Sequence, residues 1–180
     1  MRILDYYGSG TTDDDLELLS GLTHLEELTL RETKLTDVGL KHVAGFRNLR
    51  KLNLHVEKVT DAGIRQITVL DRLEELYLND IGADVTAAGM QRLGELKNLR
   101  QLYLIGEGVA DRTLEFLSSL RELRYLFLNF TPISDAGIKT LAGLKNLSCL
   151  QLHDTKVTET GLAELRKALP LCDISPRKTP

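Results

Sequence analysis

The sequence predicts an α/β solenoid, a row of short strand, turn and helix units, and three observations predict it. Taken in steps of 24 from Leu123 to Asn146 (LRYLFLNFTPISDAGIKTLAGLKN), nearly every apolar residue of the chain falls into a few columns, so one unit is copied about seven times. Within a unit the apolar spacing switches from the strand period of two, as in Leu126 and Leu128, to that of one helix face, as in Ile138, Leu141 and Leu144. Between the halves a Thr or Ser recurs where a helix must begin, followed by Asp and, two residues on, Gly.

The units begin at Met1, Leu25, Leu49, Leu73, Leu99, Leu123 and Leu147, with an eighth partial start at Leu171. The pattern reads L-x-x-L-x-L-x-x-T-x-[VI]-[TS]-D-x-G-[LI]-x-x-L-x-x-L-x-x. Thr36, Thr60, Thr86, Ser134 and Thr158 stand at the N-cap, where a side-chain oxygen accepts from unpaired backbone N–H groups. Asp37, Asp61 and Asp135 then place negative charge at the positive end of the helix dipole. Gly39, Gly63, Gly89, Gly137 and Gly161 follow early in the helix, where glycine costs about 1 kcal/mol relative to alanine; close approach of the neighbouring repeat is the expected reason. The fifth unit departs, with Ala110 at the cap and Thr113 at the glycine, and Asp111 is expected to cap instead. The fourth is two residues longer, the extra length lying in Asp80 to Val85 (DIGADV), a loop expected to protrude beside the binding face.

This pattern resembles the leucine-rich repeat family, in particular its 24-residue bacterial subclass with a T-x-[VI]-T-D-x-G-L core, and is similar to the cysteine-containing repeats of F-box proteins. The resemblance covers Met1 to Ile174. It implies a right-handed β-α superhelix, a curved solenoid with a parallel sheet on the concave face and helices on the convex face. Residues 1–174 then form a single domain of seven repeats plus a terminal strand, with 175–180 a frayed tail. The ending Ala168, Leu169, Pro170, Leu171, Cys172, Asp173, Ile174 looks like those common in bacterial repeats of this type. Met1 already occupies the first repeat position, and an uncovered edge strand is a liability. Three explanations stay open: a fragment of a longer chain, an edge covered by a partner or second copy, or residues 1–22 serving as their own cap.

With 42% hydrophobic and 27% charged residues the composition is that of an ordinary globular domain. A net charge of -3 argues against nucleic acid as the partner. No apolar run approaches a membrane span and no leader precedes the repeats, so the compartment is undetermined with the cytoplasm favoured. Two cysteines, Cys149 and Cys172, cannot make a disulfide framework; one step out of phase on neighbouring strands, they are expected on opposite faces.

Because the strand leucines point inward, the residues between them face the open side of the sheet. Of nine aromatic residues, Tyr77, Tyr103, Tyr125, Phe127 and Phe130 fall in these columns on three successive units, with Ile105, Asn79 and Asn129 beside them. Such a patch is what an interaction hot spot looks like, and these eight residues are the expected partner-binding set. The competing reading is that aromatic residues favour strands and stack for stability alone. Earlier units present mixed charge (Glu27, Arg31, Glu32, Lys51, His55, Glu75, Asp80), read as solvation, and a basic stripe (Arg47, Arg50, Lys97, Arg100, Arg121, Arg124, Lys145) lies on the turns leading into the strands. His55 and His153 stand four strands apart, roughly 19 Å, too far to share a metal, and no nucleophile meets a base. The expectation is therefore no catalytic residue, cofactor or metal. It is a module binding a protein or peptide across the concave face, with neither nucleic acid nor membrane as partner. The alternatives are the substrate-recognition part of a larger ubiquitin-ligase-like assembly, or a structural repeat that self-associates through its N-terminal edge.

Overall fold

The computed structural model describes residues 1–8 and 10–175. Eight strands, β1 (Ile3–Tyr7), β2 (Glu27–Arg31), β3 (Lys51–His55), β4 (Glu75–Asn79), β5 (Gln101–Leu104), β6 (Tyr125–Phe127), β7 (Cys149–Gln151) and β8 (Asp173–Ser175), form one parallel sheet in sequence order. Pairing follows the 24-residue lattice, so Leu28, Leu52, Leu76, Leu102, Leu126, Leu150 and Ile174 make one continuous row. Every member of that row is buried, as are Leu30, Leu54, Leu78, Leu104 and Leu128 beside it. A leucine in such a row is covered by its own copies in the repeats on either side, which is why stacking and not any single repeat supplies the core. The architecture is an α/β leucine-rich-repeat solenoid. Ser175, read from sequence as tail, is the last residue of β8 and pairs with Gln151, whereas the expected fraying of 177–180 lies outside the described residues.

Strands β1 to β4, β6 and β7 are each followed by a turn and a short helix: α1 (Asp13–Leu18), α2 (Asp37–Val43), α3 (Asp61–Ile67), α4 (Ala87–Arg92), α5 (Asp135–Ile138) and α6 (Glu159–Ala168). The expected caps hold. Thr36, Thr60, Thr86 and Ser134 each accept from the backbone N–H two residues on, and Thr158 accepts from Gly161. The fifth unit is built instead from two 3₁₀ segments, Asp111–Thr113 and Glu115–Ser119.

The aspartates do more than face a dipole. Asp13, Asp37, Asp61, Asp111 and Asp135 each reach into the following repeat, where one carboxylate oxygen accepts from the backbone N–H of the cap residue and the other from its hydroxyl. The pairs are Asp13 with Thr36, Asp37 with Thr60, Asp61 with Thr86, Asp111 with Ser134 and Asp135 with Thr158, at 2.6 to 2.9 Å. Asp111 therefore clasps Ser134 and does not cap its own segment; Thr113 does, its hydroxyl accepting from the Ala110 N–H at 3.0 Å. The recurrent glycine is the floor of this clasp. A Cβ on Gly39, Gly63, Gly89, Gly137 or Gly161 would come within 2.1 to 2.4 Å of the preceding repeat's Asp Oδ1. Where the fourth repeat has Ala87 in place of the aspartate, the fifth has no cap hydroxyl and no glycine, so the three positions change together within one chain.

Thr158 pulls the Asp135 carboxyl below the usual carboxylate range, first through its hydroxyl and then through its backbone N–H. A depressed folded-state value means that stability from this clasp is complete above the ordinary carboxylate range and fades as the pH falls through the lowered value. The melting temperature of the wild type should therefore exceed that of Asp135→Asn at neutral pH, and the gap should close on acidification. A gap independent of pH would mean that the carboxylate charge contributes nothing.

The asparagines that precede a repeat start were not singled out from sequence. Asn48, Asn98 and Asn146 each donate to a carbonyl of the previous repeat, of Thr23, Asp71 and Arg121 respectively, at 2.7 to 2.8 Å. Much of the basic stripe has a similar use: Arg47, Lys97 and Lys145 donate to the carbonyls of Val69, Ser119 and Ala168, and Arg50 pairs with Glu74.

The insertion is anchored, with its tip exposed. Ile81 and Val85 are buried, and Asp80, Ala83 and Asp84 are exposed. The Ile81 N–H donates to the Ile105 carbonyl and its own carbonyl accepts from Gly108, both at 2.9 Å, so the loop is stitched to the fifth repeat.

Candidate functional site

The turn that leaves each strand decides what the open face presents. In four repeats the residue seven after the start has a left-handed backbone: Glu32, Asp80, Phe130 and Asp154, with φ from 54° to 59°. Val56, in the same column, is instead fully buried. Asn, Asp and Gly tolerate this conformation, whereas a bulky side chain there is an outlier. Phe130 is that outlier, at φ 56°, and it is 60% exposed. Its neighbours impose the conformation: the Phe130 N–H donates to the His153 carbonyl at 2.8 Å and the Thr131 hydroxyl to the Leu128 carbonyl at 2.7 Å.

Tyr77, Tyr103 and Phe127 are directly paired across β4, β5 and β6. Their rings stack in a continuous column, with centroids 5.5 Å apart and planes at 19° for the first pair, 4.4 Å and 17° for the second. All three are half-buried, while Tyr125 on the same face is 43% exposed and Ile105 half-buried. The Tyr77 end of the column is occupied from within the chain. Its hydroxyl donates to Glu75 Oε2 at 3.1 Å and accepts from Gln101 Nε2 at 2.6 Å, and Lys51 Nζ lies 5.7 Å from the ring centroid. Burial first, then the adjacent Glu75 carboxylate, push the Tyr77 phenol up to about 12, so it stays protonated at any physiological pH.

Two members of the expected set have another part. Asn79 donates to Asn53 Oδ1 and to the Leu54 carbonyl. Asn129, 6% exposed, donates to Gln151 and accepts from the His153 N–H. At the sixth position the strand ladder is ending, and these amides satisfy groups that would otherwise be orphaned. The accessible patch is therefore Tyr103, Ile105, Tyr125, Phe127 and Phe130, with Tyr77 as its closed end.

The remaining candidates are dispersed. His55 Nδ1 lies 2.9 Å from Asp80 Oδ2, and no group of three His, Cys, Asp or Glu able to hold a metal ion occurs among the described residues. Cys149 and Cys172 are free and half-buried; burial first, then the neighbouring Cys149 thiol, push the Cys172 thiol up to about 11. No helix among the described residues is long and apolar enough to cross a membrane. On the opposite flank of the open face, β1 has no strand on its outer side among the described residues, and Ile3, Tyr6 and Tyr7 are exposed there.

A stack of in-register strands with capped helices on the other layer and side chains displayed between buried leucines defines the class, an α/β repeat solenoid with one displayed sheet face. Comparison with solved structures shows which solenoid. A leucine-rich-repeat protein of Leptospira interrogans matches with a TM-score of 0.69 at 21% identity over 97% of this chain, and internalin C2 of Listeria monocytogenes with 0.63 at 19% identity over 98%. A second Listeria monocytogenes internalin matches with 0.54 at 21% identity over 87%. The fold is that of the leucine-rich-repeat proteins. This chain spans 48% of the Leptospira structure and 80% of internalin C2. No protein-family model matches the chain, and no curated protein matches it.

Proposed function

We propose that the chain is a non-catalytic interaction module that binds a protein or peptide across the concave face of its sheet, with Tyr103, Tyr125, Phe127 and Phe130 as anchors. The observation that carries this reading is Phe130: a large apolar side chain is held in solvent by a backbone conformation that costs about 1–3 kcal/mol, and such strain collects at functional sites. Stacking for stability accounts for part of the Tyr77, Tyr103 and Phe127 column, but it gives no reason for Phe130.

Two variants, one single and one double, separate the readings. Phe130→Gly should raise the melting temperature, by the order of 1 kcal/mol net of glycine's own entropy cost, and should still lose the partner. A lowered melting temperature would make Phe130 a structural residue. The pair Tyr103→Ala and Phe127→Ala should weaken partner capture by at least about thirtyfold, while costing only about 0.2–1 kcal/mol of stability per lost ring pair. Retained capture would exclude the ring face.

A second reading, association through the outer edge of β1, is favoured by the exposed Ile3, Tyr6 and Tyr7 on a strand that pairs with β2 on one side and, among the described residues, with nothing on the other. A sedimentation series over concentration tests it: mass rising with concentration, and abolished by Ile3→Lys, supports it, whereas constant monomer mass removes it. The same chemistry on a longer chain suits a substrate-recognition arm of a larger assembly, such as a ubiquitin-ligase-like one.

A further inference from the structure

The ring column is chemically unequal at its two ends. At the Tyr77 end three elements meet: a ring, the Glu75 carboxylate, and a cation, Lys51 Nζ, 5.7 Å from the ring centroid and 3.6 Å from Glu75 Oε2. The chain uses the same pairing of ring and cation once more, with the Arg31 guanidinium 5.9 Å from the Tyr7 ring. At the Phe127 end the rings are present, Phe127 and the exposed Phe130, and the exit turns of the two preceding repeats carry carboxylates, but among the described residues no Lys or Arg lies over either ring. The exit turns 80–85, 106–109, 130–133 and 154–157, which rim the ring patch, contain Asp80, Asp84, Glu107 and Asp154 against a single cation, the exposed Lys156, whose backbone N–H donates to the Ile133 carbonyl. Asp80 is paired with His55, whereas Asp84 and Glu107 are exposed and no cation pairs with either among the described residues.

The geometry points to a basic protein segment as the occupant of this face, one that lays a Lys or Arg over Phe127 and Phe130 with its charge toward Asp84 and Glu107. This rests on the ring face being the docking surface, as proposed above, and specifies its partner. A cation over an aromatic face gains from the ring quadrupole, and rim carboxylates steer a positive partner to it and discriminate against acidic ones. A second copy of this chain is a poorer fit, since its net charge is -3.

The test is selection of random peptides on immobilised protein. A length of roughly twelve residues, about 40 Å when extended, covers the about 10 Å across the three ring-bearing strands and reaches the turns on either side. Wild type should enrich sequences in which Lys or Arg stands within a few positions of an apolar residue. The best binder should weaken by about tenfold or more as salt rises from low to above physiological strength. Asp84→Asn with Glu107→Gln should lower its affinity about five- to tenfold and flatten the salt dependence, while neutral apolar peptides are unaffected. Neutral or acidic winners that still require Tyr103 and Phe127 would overturn the basic assignment and leave the docking face standing. Winners indifferent to Tyr103→Ala with Phe127→Ala would overturn both. A ring-dependent dimer that excludes peptides would place a second copy on the face and overturn the basic assignment.

Discussion

Gly106→Ala is expected to lower stability by about 3–5 kcal/mol, in the tail of single-substitution effects, and the melting temperature by roughly 10 °C. Two independent penalties converge there. Gly106 has φ +135°, a conformation side chains rarely adopt, and a Cβ on it would lie 2.4 Å from both the N and the O of Ile81. Those are backbone atoms, so nothing can swing aside. Ile81 cannot retreat either, because it is buried and both its N–H and its carbonyl are bonded to the fifth repeat. Gly143→Ala is the matched control: a Cβ there meets nothing within 4 Å, and the change should stay within about 0.5 kcal/mol. Similar melting of the two variants would mean that the insertion is not seated against the fifth repeat as described.

The second large effect is a change of sign. Gly161→Ala alone should lower the melting temperature by several degrees, since the three atoms nearest its Cβ, at 2.2, 2.5 and 3.0 Å, all belong to the Asp135 side chain that clasps Thr158. In an Asp135→Ala background the obstruction is gone, and the same substitution should raise it, because alanine is favoured over glycine in a helix by about 1 kcal/mol. Calorimetry on the four members of this cycle decides it. The chain has already made the equivalent exchange at Ala87, Ala110 and Thr113. Additive effects, with Gly161→Ala equally harmful in both backgrounds, would contradict a glycine selected for the clasp.

Periodicity was enough to read the repeat starts, the strand leucines and the capping Thr and Ser residues, because each rests on local spacing that recurs from unit to unit. The purpose of the glycine was legible for the same reason: a costly residue at a fixed helical position requires a neighbour. Its neighbour was not, since nothing in a single repeat shows that Asp37 bonds Thr60 and not its own helix. The joint loss at Ala87, Ala110 and Thr113 was the available signal. On the open face, alternation correctly placed Tyr77, Tyr103 and Phe127 in one column, but it failed at the sixth and seventh positions. Strand period two ends there: Asn79 and Asn129 turn to satisfy backbone, Val56 turns inward, and Phe130 is displayed by a left-handed turn. A left-handed turn at Glu32, Asp80 and Asp154 is ordinary for a polar column; Phe130 among them was the sequence clue to strain.

The account's central claim is that the open sheet face, at its aromatic end, is where the molecule meets its partner. Photo-crosslinking tests it most directly, with p-benzoylphenylalanine placed at Phe130 and, separately, at Lys41 on the exposed side of α2, in protein expressed in its native source. The account predicts a discrete protein adduct from position 130, lost when Tyr103 and Phe127 are alanine, and none from position 41. An adduct from position 41 alone, or one from 130 indifferent to those two rings, would contradict it.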